Sequence, residues 1–160
     1  PGGVELDRIS RKGDPARYPL PRPQAEGPYN FSFSGLKTAV INLVHNGQQK
    51  GEPVSVEDMA ASFCCTVSEI LWQRLAAAAS DLGETKIVLA GGVSANSWLR
   101  EKARDRCQAL GWELYMPALD LCGDNAAMIG AQGFYEYQAG CVAGMALNGR
   151  PYLDVAAPMV

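Results

Sequence analysis

Gly91, Gly92, Ser94 and Asn96 stand within six residues of one another, directly after an apolar run at Ile87, Val88, Leu89 and Ala90. Glycines at a sharp turn remove Cβ atoms and let a ligand approach the backbone. Ser94 and Asn96 are both good helix starters, and a helix opening there aims free N–H groups and the positive end of its dipole at the carboxyl edge of the preceding strand. A phosphate or another anion suits that place. A tight strand-to-helix turn with no ligand suits the same residues, and the pattern alone leaves both open. Asp124, in Cys122-Gly123-Asp124-Asn125, reads either as a helix cap or as an oxygen ligand for a metal near bound phosphates. Lys37 and Thr38, in the first turn after Ser34–Gly35, could contact a phosphate or simply face solvent.

The remaining chemistry-bearing residues exclude several classes. Five cysteines (64, 65, 107, 122 and 141) make an odd number with no C-x-x-C spacing, so they read as reduced thiols of a cytoplasmic protein. His45 is the only histidine and has no ligand cluster around it, which argues against a zinc site. No apolar run approaches membrane-spanning length. The net charge of −3 gives no global reason for nucleic-acid binding, yet residues 1–50 carry seven Lys/Arg against four Asp/Glu.

These residues need elements to hold them. Val4–Lys12 is expected to be a short helix, followed by a proline-rich connector within a loop-rich opening segment, 1–28. Asn30–Phe33 alternates aromatic and polar residues as a strand does, and Leu36–His45 carries a helical stripe. Gly47–Pro53 is expected as a loop. Ser55 and Asp58 then form a capping-box-like start for a helix running to Leu82 and stopped by Gly83, with Met59, Phe63, Val67, Ile70, Leu71, Leu75 and Ala78 as its inward stripe. A strand at 86–90, apolar without alternation, reads as covered on both faces. A helix from Asn96 to Leu110, a strand at Trp112–Met116, a loop at 119–123, a helix at Asn125–Gln138 capped by Asp124, and a tail at 141–160 complete the order. The alternation implies an α/β layer structure with at least part of its sheet parallel. The segments 34–35, 91–96 and 119–124 would then gather at the carboxyl ends of the strands, where such sheets bind ligands.

Four segments together resemble one family. PGG-x-x-L-D (Pro1–Asp7), NFSFSGLKTAV (Asn30–Val40), LAGGVSAN (Leu89–Asn96) and CGDNAAMI (Cys122–Ile129) are similar to the TsaD/Gcp proteins, in the family's order, with SFSGLKT in the bacterial form. The resemblance implies an actin-like ATPase fold (the ribonuclease H-like, sugar-kinase/Hsp70 type), with this chain as its C-terminal lobe: an incomplete mixed sheet flanked by helices, the N-terminal lobe absent. It implies transfer of a threonylcarbamoyl group from threonylcarbamoyl-AMP to N6 of the adenosine 3′ to the anticodon of tRNA. It also implies a TsaB-like paralogue and a TsaE-like ATPase as partners, and one metal, generally taken as Fe2+. Gly3, Asp7 and Asn96 match positions that contact the adenylate, Gly91 and Gly92 support the nucleotide, and Asp124 matches a metal ligand.

Two departures qualify the match. Gly123 stands where the family usually has Thr, and the family's other metal ligands, two histidines in H-x-x-x-H, belong to an N-terminal half. The chain opens on Pro1 without an initiating methionine and is expected to be part of a longer polypeptide, unable alone to complete the metal site. Competing readings are a metallopeptidase, which the family's older name O-sialoglycoprotein endopeptidase asserts, a non-catalytic scaffold paralogue, and a sugar kinase. A peptidase of the H-E-x-x-H type needs a general-base Glu beside its metal, and none is evident in the sequence. Retention of Asp124 and LAGGVSAN argues against a scaffold.

Overall fold

The computed structural model describes residues 2–23, 25–149 and 151–152. Pro1 of the opening motif and residues 153–160 of the expected tail lie outside them. The order is α1 (Gly2–Ser10), α2 (Ser34–Lys50), α3 (Val56–Leu82), β1 (Lys86–Val88), a 3-10 turn (Gly92–Ala95), α4 (Ser97–Leu110), β2 (Glu113–Tyr115), a second 3-10 turn (Leu119–Leu121) and α5 (Ala126–Gln138). The chain divides into two compact units, residues 1–122 and 123–160.

In the first unit β1 and β2 pair in parallel, Lys86 opposite Glu113 and Val88 opposite Tyr115, with α4 as the crossover between them. This is the α/β class expected, but the sheet among the described residues is two-stranded and wholly parallel rather than mixed. Asn30–Phe33 does not join it. Phe31 and Phe33 instead pack ring to ring at 5.6 Å, and Phe33 leads directly into α2. The alternation that suggested a strand is satisfied here by a local aromatic pair.

The long helix α3 organises the unit. Ser55 caps it, accepting from the Asp58 N–H at 3.2 Å, and Gly83 closes it in the left-handed conformation at φ 70°. Both ends follow the sequence expectation. The buried positions follow it in part: Met59 and Ile70 of the stripe are buried, but so are Ala60, Ala61, Ser62, Cys64, Thr66 and Ser68, whereas Phe63, Val67, Leu71, Leu75 and Ala78 are half-buried. Helices pack against α3 from more than one side, so small residues are more deeply enclosed than most of the large apolar stripe. Trp72 and Ala79 of α3, Ile87 of β1, and Ala103 and Cys107 of α4 make one core cluster, and Trp112 lies 6.2 Å from Trp72.

The opening segment is a strap on α3. A Cβ on Gly13 would lie 2.1 Å from the Glu57 carbonyl oxygen, so the chain passes there only as glycine. The Asp14 N–H donates to Asp58 Oδ1 at 2.9 Å, and the Tyr18 hydroxyl accepts from the Ser55 N–H at 3.1 Å. Helix α2 runs on to Lys50 and ends at Gly51, φ 72°, so residues 47–50 are helical rather than loop. The strand β1 is covered on one face only: Ile87 is buried, but Val88 is 67% exposed. The second unit holds α5, all of whose residues but the half-buried Glu136 are exposed. No helix among the described residues is long and apolar enough to cross a membrane.

Candidate functional site

The site grows from the turn after β1. Gly91 takes φ 83° and ψ 168°, a conformation open essentially to glycine alone. Gly92 starts the 3-10 turn, and nothing lies within 4 Å of where a Cβ of either glycine would be, so the turn presents bare backbone. The short turn ends at Asn96, which also caps α4: its Oδ1 accepts from the Leu99 N–H at 3.1 Å. Asn96 is the actual helix start, and Ser94 belongs to the turn before it.

Asp7 reaches this cap from α1. Its Oδ1 accepts from Asn96 Nδ2 at 3.0 Å, from the Ser97 N–H at 3.0 Å and from Ser97 Oγ at 2.8 Å. A carboxylate at a helix N-terminus offsets the helix dipole while occupying orphan N–H groups. The sequence brought Asp7 and Asn96 into one list; the fold brings them into direct contact across 89 positions of chain. Gly3 lies one turn before Asp7 on α1, with open space around it. Residues four apart share a helix face, so Gly3 and Asp7 present one surface.

A supporting layer lies behind them. Ser10 Oγ donates to the Asp7 carbonyl at 2.7 Å and accepts from Trp98 Nε1 at 2.8 Å. Arg11 donates to Ser97 Oγ and to Glu101, and its guanidinium stacks 4.8 Å from the Trp98 ring. Cys64 Sγ lies 3.8 Å from Asn96 Nδ2. Burial pushes the Cys64 thiol up, against the opposing bonds from Ser10 and Asn96, which keeps it protonated at neutral pH. None of these partners carried a sequence signal, because their bonds join segments that only the packing of α1, α3 and α4 brings together. Ser97, next to an obvious cap, was the one within reach of sequence reasoning.

The segments after the two strands do converge within the first unit. Arg100 donates to the Ser94 carbonyl at 3.2 Å and to the Pro117 carbonyl at 2.9 Å. The segment Ser34–Gly35 follows no strand and opens α2, with the Thr38 hydroxyl donating back to the Ser34 carbonyl.

Asp124 is exposed and belongs to the second unit. It does not cap α5. Asn125 does, its Oδ1 accepting from the Met128 N–H at 3.0 Å, so the helix starts one residue later than the sequence suggested. An exposed carboxylate is sound donor chemistry for a divalent cation, but it is one donor where three or more are needed. Among the described residues no three His, Cys, Asp or Glu side chains gather as a metal site.

Comparison with known proteins agrees with the motif set. A family model, TsaD, tRNA N6-adenosine threonylcarbamoyltransferase, matches residues 1–131. Proteins named tRNA N6-adenosine threonylcarbamoyltransferase are similar along almost all of this chain. That of Thermotoga neapolitana is 44% identical over 97% of this chain and 46% of its own length. That of Anoxybacillus flavithermus is 48% identical over 96% and 45%. That of Bacillus cereus is 46% identical over 98% and 46%. The chain spans about half the length of these curated relatives. With the model covering most of its residues, the chain belongs to the TsaD family.

Proposed function

We propose that this chain is the C-terminal lobe of an actin-like threonylcarbamoyl transferase that modifies tRNA. The observation that carries the reading is the contact of Asp7 with Asn96 and Ser97, which joins the PGG-x-x-L-D and LAGGVSAN segments into one surface. Asp7 Oδ1 is taken by α4, and its other oxygen, Oδ2, makes no hydrogen bond among the described residues. That oxygen is the acceptor left for a hydroxyl of the adenylate's ribose. Gly3 lets the nucleoside lie against α1, and the bare Gly91–Gly92 backbone gives the phosphate an approach to N–H groups.

The reaction on this reading is acyl transfer. N6 of the tRNA adenosine attacks the carbamoyl carbon, the new C–N bond forms as the C–O bond to AMP breaks, and N6 gives up a proton. AMP is a good leaving group, so the residues here contribute mainly by holding the adenylate in line. Asp124 would be one ligand of a divalent metal, Fe2+ in the family, with the others supplied from outside this chain. Such an ion, once bound, offsets negative charge that develops during transfer. The partners are tRNA, a TsaB-like paralogue and a TsaE-like ATPase, and the work belongs in the cytoplasm.

The test is modification by the full-length protein. Unmodified tRNA, threonylcarbamoyl-AMP and the two partner proteins are incubated with it, and the digested tRNA is examined by mass spectrometry for N6-threonylcarbamoyladenosine. Its formation supports the reading, and its absence with every component present sinks it.

A further inference from the structure

Arg100 stands one turn into α4, its N–H bonded to the Asn96 carbonyl at 3.1 Å. Its half-buried side chain turns back to the segment just before α4. One guanidinium nitrogen donates to the Ser94 carbonyl at 3.2 Å and lies 3.6 Å from Cys122 Sγ, and the other donates to the Pro117 carbonyl at 2.9 Å. Ser94 lies in the turn after β1 and Pro117 in the loop after β2. Within the turn the Ser94 N–H donates to the Gly91 carbonyl at 2.9 Å and the Asn96 N–H to the Val93 carbonyl at 3.0 Å, so holding the Ser94 oxygen steadies a turn whose Gly92 and Val93 N–H groups make no hydrogen bond among the described residues. A guanidinium is a rigid fork of donors able to hold two such carbonyls at once, which an ammonium on a flexible stem does not reproduce.

The charge matters as well. The ion pairs among the described residues are Arg8–Glu5, Arg11–Glu101 and Lys102–Glu69, and Arg100 is in none of them. Its cation is met by neutral carbonyls, so its positive charge remains unpaired beside the turn, whereas the dipole of the α4 N-terminus is offset by Asp7.

We infer that Arg100 is a positioning residue for anion binding at the Gly91–Asn96 turn: it braces the Ser94 and Pro117 carbonyls and so holds the turn in the shape that leaves the Gly92 and Val93 N–H groups open to the ligand. The inference rests on the nucleotide reading above.

The test uses the full-length protein and its Arg100→Met and Arg100→Lys variants, with AMP as the probe. Dissociation constants come from calorimetry at a temperature where circular dichroism shows each variant folded, and KM and kcat from transfer to tRNA. Arg100→Met is expected to weaken AMP about tenfold and to raise KM for the adenylate more than it lowers kcat. Arg100→Lys keeps the charge without the fork and is expected to fall between Met and the parent protein. A purely structural brace would lower the melting temperature and leave AMP affinity unchanged below it. A folded variant binding AMP within twofold of the parent therefore overturns the inference, and the Lys variant decides if the Met variant does not fold. A parent protein that binds no AMP and modifies no tRNA sinks the nucleotide reading itself.

Discussion

One oxygen of Asp7 accepts three hydrogen bonds from the start of α4, which makes Asn96 a residue with two jobs: cap and neighbour of a carboxylate. The two jobs separate by substitution. Asn96→Ala removes the cap and the bond to Asp7 and is expected to cost about 1–2 kcal/mol of stability and to weaken adenylate binding. Asn96→Asp keeps a capping oxygen but sets a second carboxylate against Asp7, where the amide had donated at 3.0 Å. Charge repulsion then outweighs the retained cap, so Asn96→Asp should unfold at lower denaturant concentration than the parent despite being a good capping residue. Equal midpoints for Asp and Asn at 96 would argue against the contact with Asp7. The neighbouring glycines separate fold from ligand in the same way. Gly91→Ala forces a side chain into φ 83° and is expected to cost about 1–3 kcal/mol. Gly92 is not in a left-handed conformation and a Cβ there meets nothing, so Gly92→Ala should melt within about 2 °C of the parent. If adenylate affinity falls in Gly92→Ala all the same, the lost space was the ligand's; unchanged affinity would remove Gly92 from the site.

Between elements, the pairing of α3 with α4 carries the site, because α4 presents the cap and α3 anchors α1. Lys102 of α4 bonds Glu69 of α3, both side chains largely enclosed. Burial pushes the Glu69 carboxyl up, but the Lys102 bond and charge, with help from Arg22 and Arg106, outweigh it and hold the carboxyl below its ordinary value. A carboxylate depressed in the folded state contributes stability at pH values above its unfolded pKa, and that contribution is lost as pH falls through the folded value. Glu69→Gln should therefore be less stable than the parent by about 1–3 kcal/mol at pH 7, the gap closing below about pH 4. Urea midpoints at the two pH values check it; a gap independent of pH would mean the loss is of shape rather than charge. The elements also show what the residues made legible. Ser55, Gly83 and Asn96 carry their signals in their own types, and each ends or begins a helix as expected. Phe31 and Phe33 alternate as strand residues do, yet a two-residue alternation is equally served by ring-to-ring packing ahead of a helix. The inward face of α3 was only partly legible, Met59 and Ile70 being buried and the rest of the stripe half-buried, for a related reason: periodicity finds the apolar stripe, whereas burial follows how many neighbours pack on each side.

At the scale of the molecule, the sequence motifs identified the family and singled out the Gly-Gly turn, while the bonds of Ser10, Arg11, Trp98 and Arg100 around it were invisible before folding. Periodicity reports which face of an element is apolar and says nothing of which polar tips meet across 80 or 90 residues. It also overstated the cover on β1, since an unbroken apolar run is what a strand enclosed on both faces shows, and here Val88 is exposed. A two-stranded parallel sheet with one bare face is marginal by itself, because such sheets are stable when helices or further strands cover both sides. The 160-residue chain alone is accordingly expected to bind an apolar dye such as ANS and to unfold with a shallow transition, and the full-length protein to do neither. A steep, dye-silent transition in the isolated chain would count against its being one lobe of a larger fold. The same reasoning sets the last prediction, on the metal. Asp124 supplies one exposed oxygen donor, and no three-residue ligand group exists among the described residues, so the isolated chain should hold no stoichiometric metal after dialysis. In the full-length protein Asp124→Ala should lower the metal content measured by inductively coupled plasma mass spectrometry and abolish transfer to tRNA. Because Asn125 rather than Asp124 caps α5, the substitution removes no helix cap, and the melting temperature measured on metal-free protein should stay within about 2 °C of the parent. Full metal content in Asp124→Ala would remove the carboxylate from the metal site and leave the loop before α5 without an assigned role.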